Sequence, residues 1–338
     1  MSTISIIDKL KNKKNLNRDE IKTFMSSVFE GNVSESDLTD VLVLLNNKEV
    51  TSDELTGCAQ SMRDVSKKVL TEHRVVDNCG TGGDGIGTFN ISTASSFIAA
   101  SCGAYVAKHG NKAITSSSGS ADLLLEAGAN IELSPNQVSK CIDQINFGFM
   151  FAPLHHQAMK YVAPSRKKIA PKKTIFNLLG PLTNPANSKI QLIGVYTKEK
   201  MKIIAESLRN LGVDRAMIVH SDDGLDEISI FSKTHVVEII NSDIIYYTIN
   251  PEEYSLKEGC IKDIVVSGME DSLSMVNSVF DNKPGPALNI CLINAAALLY
   301  LTGIENTLEK AIESCKQSIE GENVKKKFLD FVEFTNNI

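Results

Sequence analysis

The stretch from Asp77 to Thr93 reads Asp-Asn-Cys-Gly-Thr-Gly-Gly-Asp-Gly-Ile-Gly-Thr-Phe-Asn-Ile-Ser-Thr, and it decides the fold. The residues before it, 74–77, predict a short buried strand. The residues after it, 94–100, predict a helix with Ser92 or Thr93 as N-cap. Between strand and helix lie five glycines: Gly80, Gly82, Gly83, Gly85 and Gly87. A glycine-rich turn that leads into a helix N-terminus offers free N–H groups and the positive end of the helix dipole. The stretch therefore predicts a phosphate or pyrophosphate site.

The glycine pattern has to be tested against known kinds of phosphate site. Residues 80–85 satisfy G-x-G-x-x-G, but a dinucleotide-binding fold also needs an acidic residue about 20 positions later, at the end of the next strand. Here the next predicted strand, 104–107, leads to Lys108 and His109. A P-loop does not fit either, because no Gly-Lys-Ser/Thr follows the glycines. Asp84 inside the loop suits a ligand that also carries hydroxyl groups or metal ions. A glycine-rich turn without any ligand is the remaining alternative.

Composition narrows the class of protein. The chain has 338 residues, of which 42% are hydrophobic and 22% charged, an ordinary balance for a soluble globular protein. The net charge of −6 argues against a general nucleic-acid or anionic-membrane surface. Neither a signal peptide nor a membrane-spanning run is evident, and the seven cysteines form no C-x-x-C pair. We therefore expect a cytoplasmic protein with reduced thiols and without nucleic-acid or membrane partners.

The first seventy residues predict helices only. Apolar residues recur with helical spacing over 21–29, over 38–45 behind a Ser36 cap, and over 55–65 behind Thr51 or Ser52. Short amphipathic helices in a row form a small bundle, which must pack on the rest of the chain or on a second subunit.

From about residue 74 the pattern alternates between strands and helices. Predicted strands lie at 104–107, 190–196, 216–219, 236–240 and 244–249, and predicted helices at 121–126, 135–145, 200–211, 286–300 and 308–319. Such alternation predicts a mostly parallel sheet covered on both faces. The turn at 241–243 predicts an antiparallel hairpin. The fold class is α/β, with a small N-terminal α-helical domain and a large α/β domain.

A basic segment follows the second predicted strand. Residues 108–112 read Lys-His-Gly-Asn-Lys and continue into a loop of small residues, 115–120. Ligand sites in open α/β sheets lie at the carboxyl ends of strands, so this segment should lie beside the glycine stretch. Lys108 would supply positive charge for a phosphate, and Ser120 would cap the next helix. The alternative is a flexible surface loop.

Two further segments carry chemistry. Residues 220–227 read His-Ser-Asp-Asp-Gly-Leu-Asp-Glu, and adjacent carboxylates after a strand are ligands that Mg²⁺ accepts alongside substrate phosphates. The alternative is an acidic turn in solvent, and Asp222 and Asp223 are interpreted as solvated charges. Residues 155–166 end in Arg166, which can bind a carboxylate through two parallel hydrogen bonds.

Four segments in this order resemble the anthranilate phosphoribosyltransferase family. They are the signature Gly-Thr-Gly-Gly-Asp at 80–84 followed by Thr-Phe-Asn-Ile-Ser-Thr at 88–93, then Lys-His-Gly-Asn at 108–111, Thr-Ile-Phe-Asn-Leu-Leu-Gly-Pro-Leu-Thr-Asn-Pro at 174–185 and Asp-Gly-Leu-Asp-Glu at 223–227. The resemblance covers nearly the whole chain. It departs from the family at Ser117, at Gln157, where proline is expected, and between 166 and 174, which is one residue longer.

The resemblance implies the substrates, the metal and the residues that bind them. The donor, 5-phosphoribosyl diphosphate, is expected at Gly80, Gly83, Asp84, Thr88, Asn90, Ile91, Ser92, Thr93, Lys108, His109, Gly110, Asn111, Lys112, Ala113, Ile114, Thr115, Ser116 and Ser120. Anthranilate is expected at Gly80, Asn111, His156 and Arg166. Two Mg²⁺ per subunit are expected at Ser92, Asp226 and Glu227. No residue is expected to act as acid, base or nucleophile.

The resemblance also implies an organisation. The segment at about 157–182 returns to the helical domain, so the predicted small domain is 1–72 joined by this segment. The predicted large domain comprises 73–156 and 183–338, and a homodimer forms through the helical domain. Two rival functions are a pyrimidine-nucleoside phosphorylase, which has a similar fold, and a nucleic-acid-binding look-alike, which would need a basic surface and broken metal motifs.

Overall fold

Seven strands form one sheet in the computed structural model, which describes residues 2–113 and 118–338. Their bounds are β1 (Val76–Asn78), β2 (Val106–Gly110), β3 (Phe147–Phe151), β4 (Ile190–Gly194), β5 (Arg215–Ser221), β6 (Thr234–Ile240) and β7 (Asp243–Ile249). The order across the sheet is β3-β2-β1-β4-β5-β6-β7. The first five strands are parallel, and β6 and β7 add antiparallel pairs at one edge. The predicted mostly parallel sheet and its terminal hairpin are confirmed.

Helices cover the sheet and build the N-terminal bundle. Their bounds are α1 (Thr3–Lys11), α2 (Arg18–Phe29), α3 (Glu35–Lys48), α4 (Ser52–Val65), α5 (Ile91–Ser101), α6 (Ser120–Glu126), α7 (Pro135–Ile145), α8 (Ala152–His155), α9 (Ala163–Ile169), α10 (Phe176–Leu179), α11 (Met201–Asn210), α12 (Met269–Phe280), α13 (Pro286–Thr302), α14 (Leu308–Glu320) and α15 (Asn323–Asn337). Short 3₁₀ helices lie at Gln157–Tyr161, Gly180–Leu182, Lys198–Lys200, Pro251–Tyr254 and Ile261–Ile264. None of the helices in the described part of the chain is long and apolar enough to cross a membrane.

The two faces of the sheet bury different partners. One face packs against α5 and α13, and its core includes Leu192 and Met217. The opposite face, represented by Ile193 and Ile218, shares one apolar core with α11, with the N-terminal bundle and with residues of 162–182. The alternation along β4 and β5 follows from the two-residue period of a strand. The bundle therefore rests on the sheet through the connecting segment; the exact domain bounds stay a prediction.

The residues at which the helices begin agree with some sequence expectations and contradict others. Thr51 caps α4 in a reciprocal capping box with Glu54, as predicted. The Ser36 cap is wrong. Ser34 is the N-cap, because its hydroxyl accepts the hydrogen bond from the backbone N–H of Asp37 and α3 begins at Glu35. Ser120 is also not a cap, since it is the first residue of α6.

The helix after the glycine stretch begins earlier than expected. Its N-cap is Asn90 rather than Ser92 or Thr93, because the Asn90 carbonyl already accepts a hydrogen bond from Ala94. The Asn90 side chain is held in turn by the hydroxyl of Thr93, at 2.9 Å. Both predicted caps therefore lie in the first turn of α5.

The second strand lies further along the chain than predicted. It spans Val106–Gly110 rather than 104–107, because residues 108–110 pair in register with residues 149–151 of β3. Sequence reasoning missed β3, which begins directly after the left-handed Asn146 at the end of α7. Lys108 and His109 are consequently strand residues, which fixes their side chains more firmly than a loop would.

The strand order reverses between β1 and β4. The chain runs outward from β1 to β2 and β3 on one side and from β4 to β5 on the other. Open parallel sheets leave a crevice at such a point, outside the carboxyl ends of the two strands. The glycine stretch leaves β1 here, so the crevice is where the predicted site should lie.

Candidate active site

The glycine loop is fastened to the end of β4. The backbone N–H of Thr81 donates to the carbonyl oxygen of Gly194 at 2.8 Å, and the Thr81 hydroxyl accepts from the N–H of Tyr196 at 3.1 Å. Gly82 and Gly83 have φ angles of +61° and +82°, a conformation that side chains disfavour. The loop thus reaches across the crevice from β1 to β4.

Gly194 allows the acidic motif to cross the end of β4. A Cβ atom at this position would overlap with the carbonyl oxygen of Asp226, whose carboxylate also lies against Gly80. Sequence reasoning missed Gly194, although a glycine that ends a buried strand signals close approach of another backbone. The glycine loop and the acidic motif are therefore brought together by a contact that tolerates no side chain.

Three carboxylates influence one another at this crossing. Burial raises the pKa of Asp226 to about 7, and repulsion from Asp84 adds to the shift. Burial and then repulsion from Asp226 raise the pKa of Glu227 well above its usual value. Partly buried carboxylates that repel each other are stabilised by a cation placed between them. The acidic turn is therefore not a simple solvated loop.

The donor set fits Mg²⁺ in the way proteins usually hold it. Within the two described ranges, no three carboxylate, histidine or cysteine side chains converge into a complete metal cage. Mg²⁺ is commonly bound through one or two carboxylates together with substrate phosphates and water, so a pair such as Asp226 and Glu227 suffices. The Ser92 hydroxyl oxygen, the third predicted ligand, accepts a hydrogen bond from Lys108 at 3.2 Å.

The other two acids of the acidic motif have partners; Asp222 is exposed, in agreement with its interpretation as a solvated charge, whereas Asp223 is partly buried. The Asp222 carboxylate accepts from His235 at 2.7 Å, and Asp223 accepts from the backbone of Leu225 and from the Ser229 hydroxyl. These bonds stabilise the turn. Asp222 and Asp223 therefore have structural roles, in contrast to the pair Asp226 and Glu227.

Lys108 lies under the glycine loop rather than on the surface. Its ammonium group donates to the Asn78 carbonyl oxygen at 2.6 Å and to the Ser92 hydroxyl, and the residue is 2% exposed. Burial lowers its pKa, while Asp77 and Glu227 oppose that shift. An ammonium group has three N–H donors, so one is left beyond these two bonds.

The Asp77 carboxylate connects β1 to the segments beside it. One carboxylate oxygen accepts from the backbone N–H of His109 at 3.0 Å, and the other accepts from the Asn184 amide at 2.7 Å. Burial raises the pKa of Asp77 to about 6. Sequence reasoning did not single out this pair, which ties β1, β2 and the turn after 180–182 to one another.

Several residues predicted to bind the donor have structural roles, through either the side chain or the backbone. Ile91 is 1% exposed and its N–H donates to Phe89, the Thr93 hydroxyl donates to Asn90, and Thr88 bridges to Val265. Ligand contacts in the first turn of α5 would come from backbone N–H groups other than that of Ile91, which already donates to Phe89.

The second predicted loop is described in part. The Asn111 carbonyl accepts from Ala121 at 3.2 Å, the Ala113 N–H donates to Asp122 at 2.7 Å, and Lys112 is exposed. A Cβ atom on Gly110 would overlap with the Ser120 hydroxyl. The predicted contacts Ile114, Thr115 and Ser116 lie outside the described residues, as does Ser117.

Histidines form the opposite side of the crevice. The rings of His109 and His156 meet edge to face with centroids 5.0 Å apart, and each residue is 4% exposed. Burial, with repulsion from neighbouring histidines, lowers the pKa of His109 well below its usual value and that of His156 to about 4. The backbone of Thr183 opposes the shift at His156. Both rings are therefore neutral at pH 7.

Arg166 is a partly buried positive charge on the connecting segment. It lies on α9 with its guanidinium carbon 5.9 Å from the centroid of the Phe176 ring. Among residues 2–113 and 118–338, no carboxylate forms an ion pair with it. Burial lowers its pKa, but an arginine remains charged at neutral pH. An anionic ligand would supply the partner it lacks.

Comparison with known proteins places the chain. Residues 4–66 match the helical bundle domain and residues 72–322 the α/β domain of a glycosyl transferase family. The anthranilate phosphoribosyltransferase of Ruthia magnifica is 43% identical over 335 residues, covering 98% of both chains. That of Acetivibrio thermocellus is 40% identical over 332 residues, covering 98% of this chain and 96% of its own. The chain belongs to the anthranilate phosphoribosyltransferase family. The assignment made from the four sequence motifs is confirmed.

Solved structures of this family have the same fold. The anthranilate phosphoribosyltransferase of Thermus thermophilus superposes with a TM-score of 0.91 at 31% identity, covering 98% of this chain and 99% of its own. The Saccharomyces cerevisiae enzyme, solved in complex with PRPP and Mg, has a TM-score of 0.91 at 24% identity and covers 99% and 98% of the two chains. The predicted pairing of a small helical domain with a large α/β domain is confirmed.

Proposed function

We propose that the chain transfers the phosphoribosyl group of 5-phosphoribosyl 1-diphosphate to anthranilate. The products are N-(5-phosphoribosyl)anthranilate and diphosphate, a step in tryptophan biosynthesis. The observation that carries the proposal is the contact of the glycine loop with the Asp226 carboxylate at the point where the strand order reverses. On the proposed donor side the glycine loop lies against the Asp226 carboxylate; on the proposed acceptor side are the neutral histidines near the ends of β2 and β3 and Arg166 on α9, which has no acidic partner among the described residues.

The donor is proposed to lie along the glycine loop and the first turn of α5. Backbone N–H groups there favour phosphate oxygens, and Lys108 offers its remaining donor beside Ser92. Asp226 and Glu227, with the Ser92 hydroxyl, would hold Mg²⁺; two ions per subunit is the proposed number. When bound, Mg²⁺ supplies positive charge to the departing diphosphate.

The acceptor is proposed to lie against the histidines. Arg166 would bind the anthranilate carboxylate, with Asn111 and the Gly80 backbone nearby, and His156 would line the aromatic pocket. Neither ring nitrogen of His156 has a hydrogen bond of ordinary geometry within the described structure, and both are buried. The neutrality of His156 avoids a second positive charge beside Arg166.

The chemistry needs positioning more than proton transfer. An aromatic amine is neutral at pH 7, so its nitrogen can attack the anomeric carbon directly. The bond from that carbon to the diphosphate oxygen breaks and its electron pair leaves with the diphosphate; the nitrogen then releases one proton to solvent. The residues of the crevice orient both substrates and stabilise the leaving group, so no acid, base or nucleophile is proposed.

The test is to incubate the protein with both substrates, with and without Mg²⁺, and to identify the products by mass spectrometry. The expected result is N-(5-phosphoribosyl)anthranilate and diphosphate in equal amounts, formed only with the metal. Phosphorolysis of thymidine or uridine without any transfer to anthranilate would overturn the proposal in favour of a nucleoside phosphorylase. Salt-sensitive DNA binding without transfer would favour the nucleic-acid-binding alternative.

Two further expectations accompany this function. The protein is proposed to act in the cytoplasm as a homodimer formed through the helical domain, where Ile4 on α1 is 73% exposed and Val43 on α3 is 39% exposed. Sedimentation of the wild type and of an Ile4→Asp, Val43→Asp variant tests the dimer. A monomeric wild type would contradict it.

A further inference from the structure

Lys173 joins three parts of the molecule at the mouth of the crevice. Its ammonium group donates to the Gly83 carbonyl oxygen at 3.1 Å and lies 3.2 Å from the centroid of the Tyr196 ring. Its own carbonyl oxygen accepts from the Asn46 amide at 2.7 Å, on α3 of the helical bundle. One residue thus contacts the glycine loop, the segment after β4 and the bundle.

These contacts hold the glycine loop from its exposed side. The loop is already fastened from below, where Thr81 bonds to Gly194 and Tyr196. Lys173 adds a bond to Gly83 two residues later and uses the same Tyr196 as its support. A cation over an aromatic face contributes about 0.5–1 kcal/mol at an exposed site, and a hydrogen bond contributes a comparable amount.

The positive charge of Lys173 lies near two carboxylates of the site. Asp226 and Asp84 lie close enough to favour its charged form, against a burial effect that lowers its pKa. The ammonium group therefore stands at the rim of the acidic cluster, beside the Gly83 carbonyl oxygen. Neither the glycine motif nor the acidic motif includes this residue.

We propose that Lys173 is a positioning residue for the transfer reaction, holding the glycine loop in its diphosphate-binding conformation. The inference rests on the function proposed above. Lys173 follows Arg166 by seven positions, and α9 with the turn after it forms the link. The same segment therefore carries the proposed acceptor arginine and the support of the donor loop at separate residues, so each can be changed without the other.

The experiment compares Lys173→Ala with Lys172→Ala. Lys172 is an exposed neighbour of equal charge, and its side chain makes no bond within the described residues. Lys173→Ala should raise the KM for 5-phosphoribosyl diphosphate about tenfold, with the anthranilate KM and the melting temperature nearly unchanged. Lys172→Ala should stay within about twofold of wild type. Lys173→Arg should recover most of the loss, because a guanidinium can also stack on Tyr196 and donate to a carbonyl.

Equal effects of the two alanine variants on the donor KM would overturn the inference, and so would a loss confined to the anthranilate KM. Calorimetric titration with diphosphate and Mg²⁺ separates this inference from the proposed function. If the wild type catalyses no transfer but Lys173→Ala still binds diphosphate about tenfold more weakly, the proposed function fails and the role of Lys173 in the loop stands. If the wild type transfers and Lys173→Ala binds diphosphate as tightly as wild type, the role of Lys173 fails alone.

Discussion

The proposed donor and acceptor sides of the crevice differ in the charge of their buried polar groups. On the donor side, Asp84, Asp226 and Glu227 repel one another, and their neighbour Lys108 is buried with them. On the acceptor side, the buried histidines are neutral and one arginine carries the charge. The donor side is thus incomplete without added cations, whereas the acceptor side is complete except for one anion.

This difference teaches how the site divides its work. Carboxylates that repel one another gain stability when a cation binds. The free energy that this repulsion costs the metal-free protein is therefore recovered as affinity for the metal. Neutral imidazole rings cost less to bury and leave an apolar wall for an aromatic ring. Changes on one side should therefore affect one substrate far more than the other.

The largest expected effect comes from neutralising the donor side. Asp226→Asn with Glu227→Gln should lower kcat by at least about a thousandfold, since each 1.36 kcal/mol of lost stabilisation is a factor of ten. Because repulsion between carboxylates is removed, the melting temperature without metal should not fall. Initial rates and thermal unfolding check both parts. Near-normal turnover would show that the metal is held elsewhere.

A side chain at the strand crossing should have the next largest effect. Gly194→Ala places a Cβ atom into the carbonyl of Asp226, so the acidic motif must move. We expect a loss of kcat of about a hundredfold, consistent with small misplacements of catalytic groups. Gly268→Ala is the matched control, because its φ of −178° suits any residue and a Cβ there meets nothing within 4 Å. Equal rates in the two variants would contradict the account.

On the acceptor side, Arg166→Ala should raise the anthranilate KM by roughly tenfold to a hundredfold. A hydrogen bond to a charged group contributes about 1.5–3 kcal/mol, and Arg166→Lys should restore only part of it because lysine cannot bind a carboxylate with a fork of two donors. Lys167→Ala, at an exposed neighbour on α9, is the control. If the donor KM changed instead, Arg166 would belong to the other side.

The smallest expected effect concerns the neutral histidines and pH. The pKa of His156 is about 4 in the fold against an ordinary 6.5, so between these values the folded protein binds fewer protons than the unfolded chain. The contribution of His156 to stability should therefore fall as the pH is lowered from about 6.5 towards 4, by up to about 1.4 kcal/mol per pH unit, whereas Asp77 and Asp226, whose pKa values burial raises, contribute with the opposite sign in any variant that retains them.

In His156→Phe this contribution is absent, so stability should fall less per pH unit than in wild type; His109 and His155, whose pKa values burial also lowers, contribute to what remains. Urea unfolding of both proteins between pH 4.5 and 8 measures the slopes, so a constant loss of packing in the variant does not affect the result. Identical slopes would mean that His156 titrates normally.

Sequence reasoning marked the residues of the proposed donor side more fully than those of the proposed acceptor side, for a physical reason. The glycine stretch and the pair Asp226 and Glu227 are local patterns whose chemistry is visible in the letters. Gly194, Asn184 and Lys173 act through contacts between segments far apart in the chain, so nothing local marks them. The neutrality of His156 likewise comes from burial, which only the fold determines.

Helix starts show the same limit on a smaller scale. Thr51 was predictable because its partner Glu54 stands three positions later. Asn90 was not, because its side chain is occupied with Thr93 and its backbone donates to Ser272, which lies 182 positions away. A tertiary contact thus decides where α5 begins, and with it which N–H groups face the crevice.

The most direct test of the divided site is an initial-rate grid that varies both substrates at saturating Mg²⁺, followed by the loss of anthranilate fluorescence. It is run for wild type, Arg166→Ala and Lys173→Ala in parallel. The account predicts that Arg166→Ala raises only the anthranilate KM and Lys173→Ala only the donor KM. Both variants raising the same KM would contradict the assignment of donor and acceptor to opposite sides of the crevice.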